Sequence, residues 1–232
     1  MLRFCLALLL GAPPLFFAGC SRHNEDDAQI SLGREDAECV IVIAVDLSGS
    51  FADRMTRQGK GYDFTSRVID TYFKNSIGTS NRIIIAQLSA EDRTTLLWDG
   101  TPVQLRQAFP SASDFRHFLL SKSNPNGSRL HDGVADALDY VLSEPSVEQG
   151  KTKRLALFVL SDFDDNAPNP DQSEKRLVQS LQAFSQKSGI VGFYFLDQPK
   201  VPIWRGHLRK SGIKNWVCES EIVAYPALPS FE

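Results

Sequence analysis

The chain has 232 residues, 42% of them hydrophobic, which is enough for one α/β domain with a full core. Its formal net charge is −3 with acids and bases interspersed, so it offers no basic face to nucleic acid. No repeat of solenoid length and no long low-complexity tract is present, which excludes stacked-repeat architectures.

Taken in chain order, the amino terminus reads as a targeting segment. One positive charge at Arg3 precedes an apolar stretch from Phe4 to Leu10, which Gly11, Pro13 and Pro14 interrupt before Leu15-Phe16-Phe17-Ala18-Gly19-Cys20. The stretch is too short and too broken by proline to cross a bilayer. Phe17-Ala18-Gly19-Cys20 resembles a bacterial lipobox, with Phe17 where leucine is usual. That resemblance implies a signal peptide over 1–19 and acyl chains on Cys20 that anchor the chain to a membrane. It places the protein in the bacterial cell envelope, facing the periplasm or the exterior, on the outer membrane where the host has two. The alternative is an ordinary secretory signal with Cys20 merely near the cut. Residues 20–38 then read as the lipidated cysteine and a polar, flexible tether.

The folded domain is expected over 39–232. Val40-Ile41-Val42-Ile43-Ala44-Val45 is an unbroken apolar, β-branched run, the pattern of a strand buried on both faces. It ends in Asp46-Leu47-Ser48-Gly49-Ser50. Extended chain has period two, so Asp46, Ser48 and Ser50 can turn three oxygens toward one point. Hard oxygens at the carboxyl end of a buried strand suit a small divalent cation. The rival reading is a strand-to-helix turn with a serine N-cap.

Helical periodicity then predicts a helix over Tyr62–Lys74, and Arg82–Ser89 is a second strand. Thr94–Trp98 and Val103–Leu105 are expected as an edge hairpin around Asp99-Gly100. Ser113–Ser121 forms a helix, and Leu130, Val134, Ala137, Leu138, Val141 and Leu142 stripe the next one, just after Ser128. Leu155–Leu160 is a buried strand that runs into Ser161-Asp162. A helix over Asp171–Lys187, a strand over Ile190–Leu196, a short helix over Trp204–Ser211 and a strand over Ile213–Val217 follow. This alternation predicts an α/β fold: a doubly wound, mainly parallel sheet with one antiparallel edge strand and helices on both faces. Ligands of such sheets bind beyond the carboxyl ends of strands, where the strand order reverses. Asp46 and Asp162 both end strands expected at the centre.

Asp46-x-Ser48-x-Ser50, a distant hydroxyl at Ser128 and a distant carboxylate at Asp162, in this order, resemble the von Willebrand factor A domain and its metal-ion-dependent adhesion site. The similarity covers Cys39 to Cys218. It implies Mg2+ (or Mn2+) held by Asp46, Ser48, Ser50, Ser128 and Asp162, with a protein partner completing the ion's shell through an Asp or Glu carboxylate. Serine at 128 stands where the family usually has threonine; it keeps the oxygen, loses a stiffening methyl and implies weaker or more mobile coordination. Phe163 stands where the family often has glycine. Some members join the two ends of the domain by a disulfide, which implies a bridge between Cys39 and Cys218; the alternative is two buried thiols.

Two other functions compete with adhesion. One is a metal-dependent phosphohydrolase with Asp46 as nucleophile; Ser48 then stands where the general acid is needed, so proton transfer lacks its donor. The other is a structural module with a vestigial site. The four histidines show no zinc-ligand pairing, and neither a nucleophile elbow nor a phosphate-binding loop occurs. Asn126-Gly127-Ser128 fits a glycosylation pattern that a bacterial lipoprotein makes idle. Asp164-Asp165-Asn166 reads as a solvated acidic loop ahead of Pro168 and Pro170; the alternative is a loop that reaches the metal or repels an acidic partner.

Overall fold

The apolar run Cys39–Val45 forms strand β1, and every one of its seven side chains is buried. In the computed structural model of the chain, the residues described are 37–56, 59–73, 81–88, 95–124 and 127–231. The targeting segment, Cys20 and the tether up to residue 36 lie outside the described residues. After β1 come α1 (Gly49–Ala52), a 3-10 turn (Asp53–Met55), α2 (Lys60–Phe73), β2 (Arg82–Gln87) and β3 (Leu96–Gly100). Next are α3 (Pro102–Ala108), α4 (Ala112–Leu120), α5 (Leu130–Leu142), α6 (Pro145–Glu148) and β4 (Arg154–Leu160). The chain continues through α7 (Pro170–Gln186), β5 (Ile190–Leu196), a 3-10 turn (Gln198–Lys200), α8 (Val201–Lys210) and β6 (Trp216–Ser220).

The six strands lie in the order β3-β2-β1-β4-β5-β6, and β3 alone is antiparallel to its neighbour. The chain builds outward from β1 through β2 to β3, then returns to lay β4 on the other side of β1. Strand order therefore reverses between β1 and β4. Alternation along β1 feeds two layers. Val40, Val42 and Ala44 meet Leu157, Val159 and Phe193 beneath α5, α7 and α8. Ile41, Ile43 and Val45 meet Ile83, Ile85 and Phe158 against α2 and α4. This is the doubly wound α/β sheet expected, with its antiparallel edge.

Three local readings change. Val103–Leu105 is helical, because Thr101 and Gln104 close a capping box and Pro102 opens the first turn of α3. Asp99-Gly100 is the end of β3 and not a hairpin turn. Asp99 pairs with the fully buried guanidinium of Arg82 on β2 and accepts a 2.7 Å hydrogen bond from Tyr140 Oη of α5, which ties the edge strand into the sheet. The last strand begins three residues later than expected, because Gly212, with φ of 74°, turns the chain after α8 and Ile213 packs as loop.

The Cys39–Cys218 bridge is the larger correction: both thiols are free. Cys39 opens β1, and Cys218 pairs with Phe193 of β5, so β4 and β5 intervene. Three interstrand steps of about 4.8 Å separate the two strands, roughly 14 Å in all, whereas a disulfide needs Cα atoms within about 7 Å. The side chains also enter opposite layers, Cys39 toward α2 and Cys218 toward α8. Burial pushes both thiols up to about 11, despite Arg154 beside Cys39 and Arg205 beside Cys218. Neither Cys39 nor Cys218 is expected to react with iodoacetamide in the folded chain at neutral pH, and both are expected to react after denaturation without reductant. Peptide masses give the result directly; a disulfide-linked peptide pair would refute it.

Candidate metal centre

The β1–β4 ladder continues one residue past the strands, because Asp46 N–H donates to Leu160 C=O at 2.8 Å. Asp46 is thereby fixed in the crevice where strand order reverses, with 0% of its surface exposed. Its Oδ1 accepts from Ser48 N–H at 2.9 Å, and its Oδ2 accepts from Ser161 Oγ at 2.7 Å. Ser48, buried and extended (φ −68°, ψ 163°), holds the N-cap position of α1, yet its hydroxyl turns to Asp46 and not to the helix. From the segment after α4, Asn124 N–H and Ser123 Oγ both donate to Leu47 C=O, at 3.0 and 2.9 Å, and brace this turn from behind.

Asp162 follows β4 by two residues and is buried. Its Oδ1 accepts from Asp164 N–H at 3.3 Å, and its carbonyl accepts from Lys200 Nζ at 3.2 Å. Ser128 is buried as well. Its Oγ donates to Asp164 C=O at 2.7 Å, and its own carbonyl accepts from Asn166 N–H at 2.8 Å. Four of the five expected ligands, Asp46, Ser48, Ser128 and Asp162, thus come from three separate segments to one edge of the sheet. Ser50 lies in the first turn of α1; its side chain lies outside the described residues.

Burial raises the Asp46 carboxyl above its ordinary range. Hydrogen bonds from Ser48 and Ser161 oppose that rise, and the charge of Asp162 adds to it. No ion pair to Asp46 forms among the described residues. A buried carboxylate without a cation is costly, and a metal is one of the few partners that relieves it. Two carboxylates with serine hydroxyls form an all-oxygen set, which suits Mg2+ or Mn2+ rather than zinc. The donor set therefore fits the implied ion, although no cluster of three His, Cys, Asp or Glu exists among the described residues.

The loop after Asp162 is solvated as expected at Asp164 and Asn166 but not at Asp165. Asp164 is exposed, but the Asp165 side chain is only 11% exposed and pairs with His131 Nδ1 at 2.7 Å. Lys200 bridges the carboxylates of Asp164 and Asp197. The sequence reading missed Ser161, Ser123, Lys200, Asp165 and His131. Ser161 alone had a usable signal, as a hydroxyl at the end of a buried strand beside Asp162. The others are brought in by tertiary structure.

Phe163 takes a φ of 64°, the left-handed region that glycine tolerates best. Its ring is nonetheless buried between Phe193 and Trp204, at centroid distances of 5.3 and 4.7 Å.

No family model matches the chain, and no curated protein matches it in sequence. What fold and site define is a doubly wound α/β protein with a buried, all-oxygen corner at the reversal of strand order.

Two predictions concern this corner. A left-handed Phe costs about 1–2 kcal/mol, whereas emptying a buried Phe site costs about 3–5 kcal/mol. Phe163→Gly should therefore lower unfolding free energy by about 2 kcal/mol in urea; a gain would show that strain dominates. The second concerns pH. Asp46 keeps its proton to higher pH folded than unfolded, so the folded state is favoured below the ordinary carboxylate range. That advantage is lost as pH rises through the raised value of Asp46. In chelator, thermal midpoints from about pH 4 to pH 8 should fall more steeply for the wild type than for Asp46→Asn. Parallel curves would contradict this assignment.

Proposed function

We propose that the chain is a divalent-cation-dependent, protein-binding module, held on the bacterial envelope by lipid on Cys20. Asp46, Ser48, Ser50, Ser128 and Asp162 would hold Mg2+ (or Mn2+). The bound ion would supply a positive centre with a position open to an Asp or Glu carboxylate of the partner. The two aspartates balance a divalent charge, and the serines add neutral oxygens, so the ion keeps its appetite for one more anionic ligand. Ser128 Oγ spends its proton on Asp164 C=O, which leaves its lone pairs free to bind a cation. Lys200 holds the carbonyl of Asp162 and the side chain of Asp164, which keeps the backbone of this loop in place beside the site.

The observation that carries this reading is the fully buried carboxylate of Asp46, beside Asp162 at the strand reversal and without an ion pair among the described residues. It favours binding over phosphoryl transfer. Both Asp46 oxygens already accept hydrogen bonds, and Ser48 cannot serve as the proton donor that a leaving group needs.

The test is an electron-spin-resonance titration of the detergent-solubilised full chain with Mn2+, alongside Asp46→Ala. Saturable binding is expected in the wild type and an affinity at least about 10-fold weaker in the variant. Magnesium should compete for the same site. Absence of binding in the wild type, or equal binding in both, would sink the proposal and leave a degenerate domain that holds partners by packing alone.

A further inference from the structure

We infer that Asp165 is the positioning residue of this centre: it clamps the loop carrying Asp162 to the start of α5 and so fixes Ser128. The inference rests on the reading of Ser128 as a metal ligand. Helix α5 begins without a cap of its own; Arg129 occupies the N-cap position and contributes no side-chain hydrogen bond there. The first N–H groups of a helix need acceptors, and its positive end favours a carboxylate. Asp165 arrives from the β4–α7 loop beside that end. Its carboxylate lies 2.7 Å from His131 Nδ1, in the first turn of that helix. Burial alone would raise the Asp165 carboxyl; contact with His131 leads the causes that hold it low.

The two residues flanking Asp165 both grip Ser128. Asp164 C=O accepts from Ser128 Oγ at 2.7 Å, and Asn166 N–H donates to Ser128 C=O at 2.8 Å. Three consecutive residues of one loop thus engage Ser128 and His131 of another. The His131 ring is itself held, with Trp204 at 5.1 Å between centroids, and Trp204 meets Phe163 at 4.7 Å. Phe163 pins the front of the loop into the core and Asp165 pins its middle to α5. Ser128 is left with one direction for its hydroxyl.

This arrangement supplies what the sequence lacks. Threonine restricts χ1 through its second heavy substituent; serine keeps all three staggered states open. With Asp164 C=O fixed by the clamp, the Ser128 hydroxyl is selected by a hydrogen bond in place of a methyl. Supporting groups of this kind are commonly worth 10–100-fold in metal affinity.

The test uses the full chain with Asp165→Asn, Asp165→Glu, Ser128→Ala and the double variant Asp165→Asn/Ser128→Ala. Two readouts are needed: Mn2+ affinity by spin resonance, and amide exchange of Asn166 in chelator. Asp165→Asn should weaken Mn2+ about 10-fold or more, Asp165→Glu should recover part of that loss, and the double variant should be no weaker than Ser128→Ala. Exchange at Asn166 should quicken at least about 10-fold in Asp165→Asn while core amides of β4 stay unchanged. Wild-type Mn2+ affinity in Asp165→Asn, or losses that add fully in the double variant, would overturn the inference. Should the wild-type chain bind no Mn2+, the metal reading fails by itself. Exchange at Asn166 then decides the clamp: unchanged protection overturns it, and loss confined to this loop upholds it.

Discussion

A carboxylate with no exposed surface sits at the one place in the sheet where chain direction forces a gap. Strands β1 and β4 are neighbours, yet their crossovers leave toward opposite sides, so nothing in the connectivity covers the crevice beyond their carboxyl ends. Asp46 fills it. Its oxygens accept from Ser48 N–H and Ser161 Oγ, and no ion pair compensates its charge among the described residues. The turns that follow β1 and β4 are shaped around that constraint. Ser48 turns its hydroxyl inward and not onto its helix, and Ser161 also receives Phe163 N–H at 2.8 Å, which starts the left-handed turn at Phe163.

That turn matters because it separates two jobs along adjacent residues. Phe163 and Asp165 point into the molecule, one into the aromatic layer with Trp204 and one onto the start of α5. Asp162 and Asp164 are left for the crevice and its rim. An all-glycine turn would reach the same backbone conformation with less strain and no anchor. The phenylalanine accepts a small conformational cost for a much larger burial term, and the loop becomes a rigid extension of the core. Rigidity of this kind is what the proposed centre, built largely from serine hydroxyls, would require, since neutral oxygens bind a cation well only when their positions do not have to be ordered anew.

The fold was legible where burial alone decides local structure. Seven buried residues in β1, seven in β5 and the helical stripe of α5 could not be read otherwise. It was misread where one contact overrides pattern: Thr101 caps a helix where β-branched Val103 suggested strand, and Arg82 draws Asp99 out of a turn. The disulfide failed for a related reason. Sequence places Cys39 near the first strand and Cys218 near the last, but first and last in the chain are not adjacent in the sheet, and the register fixes them on opposite faces.

The site shows the same division. Asp46, Ser48, Ser128 and Asp162 are visible because each follows or precedes a strongly patterned element, and element ends are where such sheets gather their chemistry. The residues that hold them had no local mark. Asp165 reads as one acid in a polar loop because its partner, His131 in the first turn of α5, lies 34 residues earlier in the chain. An uncapped helix is itself a sequence-level observation: Arg129 is a poor N-cap, and no Ser, Thr, Asp or Asn stands in its place. A helix that lacks its own cap, just after a candidate ligand, needs an acceptor from elsewhere. The acidic loop beyond the next strand brings Asp165 beside that end, where it pairs with His131. Held by Asp164, Asn166 and the Asp165–His131 pair, the loop after β4 and the start of α5 meet at Ser128.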